Sequence, residues 1–148
     1  MIIFIAGPVD YWWNENWLTP AHFDYMDWRT SVSKALVEAG HLVYRPHEAF
    51  KGAWHEGAQV VNDRAIEISD LLVNITPPGI PAYGTDAEIA YARSLNKPVF
   101  HAPPDDTSQI EHLIVRLADP YGDVHRKSYT KYPPPDIDWK GDDNQKLS

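Results

Sequence analysis

Cysteine is absent from the chain. That one absence removes disulfides, thiolate metal sites and cysteine nucleophiles together. Seven histidines are present, but none form an HxxxH or HExxH pair, so no metal site is expected. Long apolar runs are missing too, and no segment approaches the ~20 residues of a membrane span. The opening "MIIFIAGP" has no basic leader, and its apolar run is too short for a signal peptide. The expected address is therefore the cytoplasm, with no membrane partner. Positive charge is scarce: 13 Lys and Arg stand against 21 Asp and Glu, for a formal net charge of -8. Nucleic acids and anionic membranes require a basic patch, so neither is an expected partner. A small neutral or cationic ligand suits this balance better.

What is present is ordinary for one soluble domain. The 148 residues are 43% hydrophobic and 23% charged, enough to bury a core. "IIFIA" (2–6) reads as a buried strand broken by "GP". After an aromatic loop, Thr19-Pro20 offers a helix N-cap and a first-turn proline, with Trp28, Val32, Ala35, Leu36 and Ala39 on one stripe and Gly40 as the stop. "HLVYRP" (41–46) is a second strand, and residues 58–69 form a helix expected to turn Ala58, Val61, Ala65 and Ile68 inward. "LLVNIT" (71–76) is a third strand, residues 85–96 a third helix and "KPVFHAP" (97–103) a fourth strand. Residues 107–118 add a further helix. Apolar strands alternating with amphipathic helices predict an α/β fold with a parallel sheet covered on both faces. The domain is expected to occupy residues 1–132. Residues 133–148, proline-rich and then acidic, are expected to form a tail outside the core.

Open parallel sheets bind ligands at the carboxyl ends of their strands. Three loops leave those ends here, and they carry Trp12, Trp13, Trp17 and Trp54. As a group these rings are candidate walls for a planar heterocycle, although any single one is better explained as a cap on the core edge.

The stretch "YGTDAEIAYA" (83–92) places Glu88 on the stripe of Tyr91, Ala92 and Leu95, the side a helix normally buries. One explanation is structural: "TDAE" matches a capping box, with Thr85 as N-cap and Glu88 reaching back to a backbone amide. The other is chemical. A first-turn carboxylate lies near the positive helix end, which favours the ionised form that a nucleophile needs. On the preceding helix, Gln59, Asn62, Asp63 and Ile66 share a side away from the main apolar stripe. Solvent exposure explains that side, though Ile66 hints that it is covered.

"IFIAGP", "NDRAIEISDLLVNI" and "YGTDAEIAYARSLNKPV", in this order over residues 2–102, resemble the nucleoside 2-deoxyribosyltransferase family. The resemblance implies a flavodoxin-like (Rossmann-like) three-layer sandwich around a central parallel sheet. It also implies N-glycosyl transfer on nucleosides, moving a (2-deoxy)ribosyl group between nucleobases by a retaining double displacement. Glu88 would be the nucleophile, forming a covalent glycosyl ester, and Asp63 of the Asn62-Asp63 pair would handle the base and its proton. Gly7, Pro8, Trp12, Trp13, Asn62, Tyr83, Gly84 and Thr85 would line the substrate. No cofactor is implied. The expected partners are a nucleoside and a free nucleobase, in a homo-oligomer whose sites a neighbouring subunit completes, with residues 120–127 and the acidic tail as candidate contributors.

Two positions depart from the transferase pattern: Phe4 stands where a tyrosine usually steadies the nucleophile, and Ala82 where an aspartate is usual. Tyr83 or Tyr91 is the expected substitute orienter. Related 5′-monophosphate N-glycosidases also lack both residues. They need a phosphate seat, however, and the first loop carries Asp10 and Glu15 instead. A nucleotide hydrolase and a non-catalytic nucleotide sensor are thus the alternatives.

Overall fold

The structure is a computed structural model and describes residues 1–9, 11–12, 16–46, 56–118 and 136–140. Its elements run β1 (Ile2–Ala6), α1 (Pro20–Glu38), β2 (Leu42–Tyr44), α2 (Glu56–Ile68), β3 (Leu71–Asn74), α3 (Tyr83–Ser94), β4 (Val99–His101), a 3-10 turn (Thr107–Gln109), α4 (Ile110–Ala118) and β5 (Ile137–Asp138). All five strands are parallel, in the order β2-β1-β3-β4-β5. This is the flavodoxin-like order, and its reversal lies between β1 and β3.

Successive strand residues face opposite sides, so each apolar strand feeds two cores. On one side Ile3, Ile5, Leu71, Val73, Ile75 and Phe100 meet Tyr25, Trp28, Val32 and Leu36 of α1 and Leu113 and Leu117 of α4. On the other, Phe4, Ala6, Leu72 and Val99 meet Ala65 and Ile66 of α2 and Ile89 and Ala92 of α3. Three layers result, with the sheet in the middle. The start of α1 matches its sequence signal: the Thr19 side chain accepts from the His22 backbone N–H, and Pro20 opens the helix. Gly40 beyond its end takes φ +95°, a conformation that suits glycine.

Two expectations are corrected. Val61 and Ile68 were expected inward on α2, but they are 46% and 67% exposed, whereas Asn62 and Ile66 are buried. Asn62 has a partner inside: its Oδ1 accepts from the Tyr44 hydroxyl at 3.0 Å, which offsets part of the cost of placing an amide on the inner stripe.

The tail is also not wholly outside the core. Residues 136–140 return to the sheet, where Ile137 pairs with Phe100 in β5 and Trp139 is 2% exposed beside Trp28. Asp136 fastens this segment by accepting from His101 Nε2 at 2.8 Å and from Arg93. Asn74 in turn bonds His101 Nδ1 at 3.1 Å. The remaining tail residues lie outside the described residues, as do residues 120–127, Asp10, Trp13, Glu15 and Trp54.

Candidate active site

The carboxyl ends of β1 and β3 open where strand order reverses, and the chain continues there through Gly7 and Pro8 on one strand and Ile75 and Thr76 on the other. Gly7 is required by its neighbours. A Cβ at this position would collide with the Tyr25 hydroxyl and come within 3.0 Å of Ile75 Cγ1. The missing side chain lets Tyr25 reach across from α1 to the end of β1.

Helix α3 starts earlier than its capping signal suggests. Ala82 is the N-cap and makes no side-chain cap bond; its carbonyl accepts from the Asp86 N–H at 2.8 Å. Thr85 therefore sits inside the first turn, with its side chain buried, and Glu88 lies nearly a turn further on. The capping box does not form, so Glu88 is not held as a backbone cap.

Glu88 as a whole is half-buried, but its Oε2 is fully enclosed and has no hydrogen-bond partner. Burial, and secondarily the charge of Asp63, push its carboxyl up to about 8. The surroundings therefore oppose the ionised form expected of Glu88 rather than favour it. Its position beyond the first turn explains the error, because helix-end stabilisation fades within that turn. An unpartnered carboxyl in an enclosed space costs stability, and such costs concentrate where chemistry is done.

Asp63 on α2 is half-buried, with its Oδ1 accepting from Gln59 Nε2 at 2.7 Å. Its effect on Glu88 shows that the two carboxyl groups are electrostatic neighbours. Two tyrosines complete the surround. Tyr44 stacks on Phe4 with ring centroids 5.5 Å apart. Burial raises its pKa, as does the Glu88 charge. Tyr25 is 3% exposed, and burial drives its pKa strongly upward; Arg29 opposes this shift and Glu88 adds to it.

Tyr25 and Tyr44, then, are the phenols near Glu88. The expected orienters are elsewhere: the Tyr91 hydroxyl donates to Glu67 at 2.7 Å, and Tyr83 is 85% exposed. Position could have revealed the pair. Tyr25 lies on the buried stripe at the N-terminal end of α1, and Tyr44 is the last residue of β2. In a βαβ unit both places adjoin the carboxyl edge of the sheet.

Trp12 belongs to the core rather than to an open stacking wall. It is 3% exposed, and its ring is flanked by His22 at 5.3 Å and Tyr25 at 5.1 Å. Its Nε1, like Thr76 Oγ1, is buried without a hydrogen-bond partner. Trp17 is 45% exposed and packs on His22 at 4.7 Å, leaving it the more open of the two described loop tryptophans. Pro8 is buried, and Gly84 is exposed with open space where a Cβ would point.

Among the described residues no group of three or more His, Asp or Glu could hold a metal ion, and no helix is long and apolar enough to cross a membrane. The chain matches no protein-family model and no curated protein sequence.

Proposed function

We propose that the chain is a nucleoside 2-deoxyribosyltransferase-like enzyme that moves a (2-deoxy)ribosyl group between nucleobases through a covalent ester on Glu88. The observation that carries this reading is the enclosed Glu88 Oε2, without a hydrogen-bond partner, on the helix that follows β3. In the first half-reaction a Glu88 oxygen attacks C1′ from the face opposite the base, and the C1′–N bond breaks as the base nitrogen gains a proton. In the second, an incoming base attacks C1′ and frees Glu88, so two inversions give net retention. Asp63 carries the proton to and from the base. Tyr25 and Tyr44 hold the walls around Glu88, and Trp17 offers a partly open ring for the heterocycle. The same reading places the enzyme in the cytoplasm, as a homo-oligomer acting on nucleosides and free nucleobases.

The test is chromatography of the purified protein with a deoxynucleoside, with and without a different free base. A new nucleoside that requires the added base, and that disappears in Glu88→Gln, is the expected result. Free sugar and base alone would make the enzyme a hydrolase. Unimpaired turnover by Glu88→Gln would remove Glu88 from the reaction.

A further inference from the structure

We propose that Asp136 is a positioning residue for the Glu88 site, acting from the C-terminal segment through His101 and Asn74 on the backbone where β3 ends. The kinetic consequence rests on the glycosyl-transfer reading above; the hydrogen-bond relay itself does not.

Asp136 stands at the head of β5, the edge strand, and its carboxylate has two arms. One reaches α3, where Arg93 donates through Nε to Oδ1 at 3.1 Å and through Nη2 to Oδ2. The other meets His101 Nε2 at 2.8 Å, at the end of β4. On the far side of that ring, Nδ1 lies 3.1 Å from Asn74 Nδ2, at the end of β3. Asn74 Oδ1 in turn accepts from the Thr76 backbone N–H at 3.0 Å. The relay thus runs from the edge strand across the carboxyl ends of β4 and β3. It stops where the chain sets out towards α3.

The partners assign each proton. A backbone N–H can only donate, so Thr76 draws the Asn74 carbonyl towards itself and leaves the amide NH2 facing His101. His101 Nδ1 is then the acceptor, and Nε2 carries the proton. The Asp136 end asks for the same tautomer. Burial raises the Asp136 pKa, but the bonds from His101 and Arg93 outweigh it and hold the carboxyl below its ordinary value, so it accepts. One neutral tautomer satisfies both ends. A proton on Nδ1 would instead face the Asn74 NH2, donor against donor.

An asparagine that closes its own turn makes only a local contact, and its side chain can rotate away. Here the imidazole pins the other edge of the amide. Residues 75–82 connect β3 to α3. Asp136 holds the start of this connection through Thr76, and it holds the helix beyond through Arg93, which lies on the same helix as Glu88. Gripping both limits how far α3 can shift against β3. Attack on C1′ tolerates little displacement of the Glu88 oxygen.

The first test is amide hydrogen exchange followed by NMR. Asp136→Ala removes both arms, and exchange at the Thr76 N–H should quicken about fivefold to tenfold. The Trp139 N–H, which donates to the His101 carbonyl at 3.1 Å, reports whether β5 is still docked and should stay protected. His101→Leu cuts the relay at its middle, leaves the Arg93 pair in place and should loosen Thr76 likewise. If Asp136→Ala also exposes the Trp139 amide, His101→Leu decides alone. Unchanged exchange at Thr76 in His101→Leu would overturn the relay. Long-range proton–nitrogen NMR, with His101→Leu to assign the ring, reads the tautomer. At about pH 8, above the ordinary imidazole range, the proton should sit on Nε2. A proton on Nδ1 would overturn the assignment.

Steady-state transfer from a deoxynucleoside to a second base then tests positioning. Asp136→Ala should lower kcat about tenfold while KM moves less than about twofold. Asp136→Asn keeps an acceptor for Nε2 and should recover most of both kcat and the Thr76 protection. A loosened Thr76 with unchanged kcat would overturn the positioning role. If the wild type releases no base, the glycosyl-transfer reading fails, and the exchange and tautomer results still decide the relay.

Discussion

Glu88→Gln should remove the chemistry and make the protein more stable, with a gain that grows with pH. Burial, with the Asp63 charge second, pushes the folded-state carboxyl up to about 8, against its ordinary value of 4.5. Between these two values the folded chain holds a proton that the unfolded chain has released. Wild-type stability therefore falls as pH rises through that window, by about 1.4 kcal/mol per pH unit for one group. Glutamine has nearly the same shape and stays neutral throughout, so it escapes this cost. The window gives a difference of under ~1 kcal/mol at pH 5 and on the order of 3 kcal/mol at pH 7. Urea unfolding of both proteins at pH 5, 7 and 8.5, followed by tryptophan fluorescence, measures it directly. Equal stabilities at all three values, or a wild type that gains on the variant as pH rises, would refute the claim that Glu88 is enclosed without compensation. The same comparison separates a functional carboxyl from a structural one. Had Glu88 been a capping residue, glutamine would keep the cap and no gain rising with pH would appear.

Two further outcomes test the geometry around the site. Gly7→Ala should cost about 1–3 kcal/mol by overpacking, since its Cβ would meet the Tyr25 hydroxyl and Ile75. Adding Tyr25→Phe should recover part of that loss in thermal unfolding, and a neutral Gly7→Ala would contradict the close approach. Trp139→Ala should cost about 3–5 kcal/mol, because the ring is buried beside Trp28. An unchanged denaturation midpoint would place Trp139 outside the core.

The candidate site was legible in part. Glu88 stood out because an acid on a buried helical stripe is unusual, and Asp63 and Asn62 stood out only through the family resemblance. Asn62 looked like a surface residue until the Tyr44 hydroxyl supplied its partner, and that partner comes from a strand 18 residues away. Tyr25 was missed because an aromatic residue on a helix's inner stripe reads as core, which it also is. Its hydroxyl acquires meaning only beside Gly7. The reverse error occurred at Trp12, whose place in a loop at the sheet's carboxyl edge suggested an open face that His22 and Tyr25 in fact cover.

Local pattern by itself determined the layered α/β fold, because apolar strands buried on both faces and amphipathic helices between them have few other ways to hide their surfaces. It also determined how α1 begins, because a cap is a contact between near neighbours in the chain. Tertiary structure decided the rest. The rotation of α2, the return of Ile137 and Trp139 to the sheet and the enclosure of Glu88 Oε2 depend on groups brought together from distant positions. A two-residue strand carries no periodic signal, and a carboxyl's affinity for its proton is set by the enclosure and charge around it. Glu88 could be singled out from the chain, but the enclosure of its Oε2 is a property of the folded arrangement.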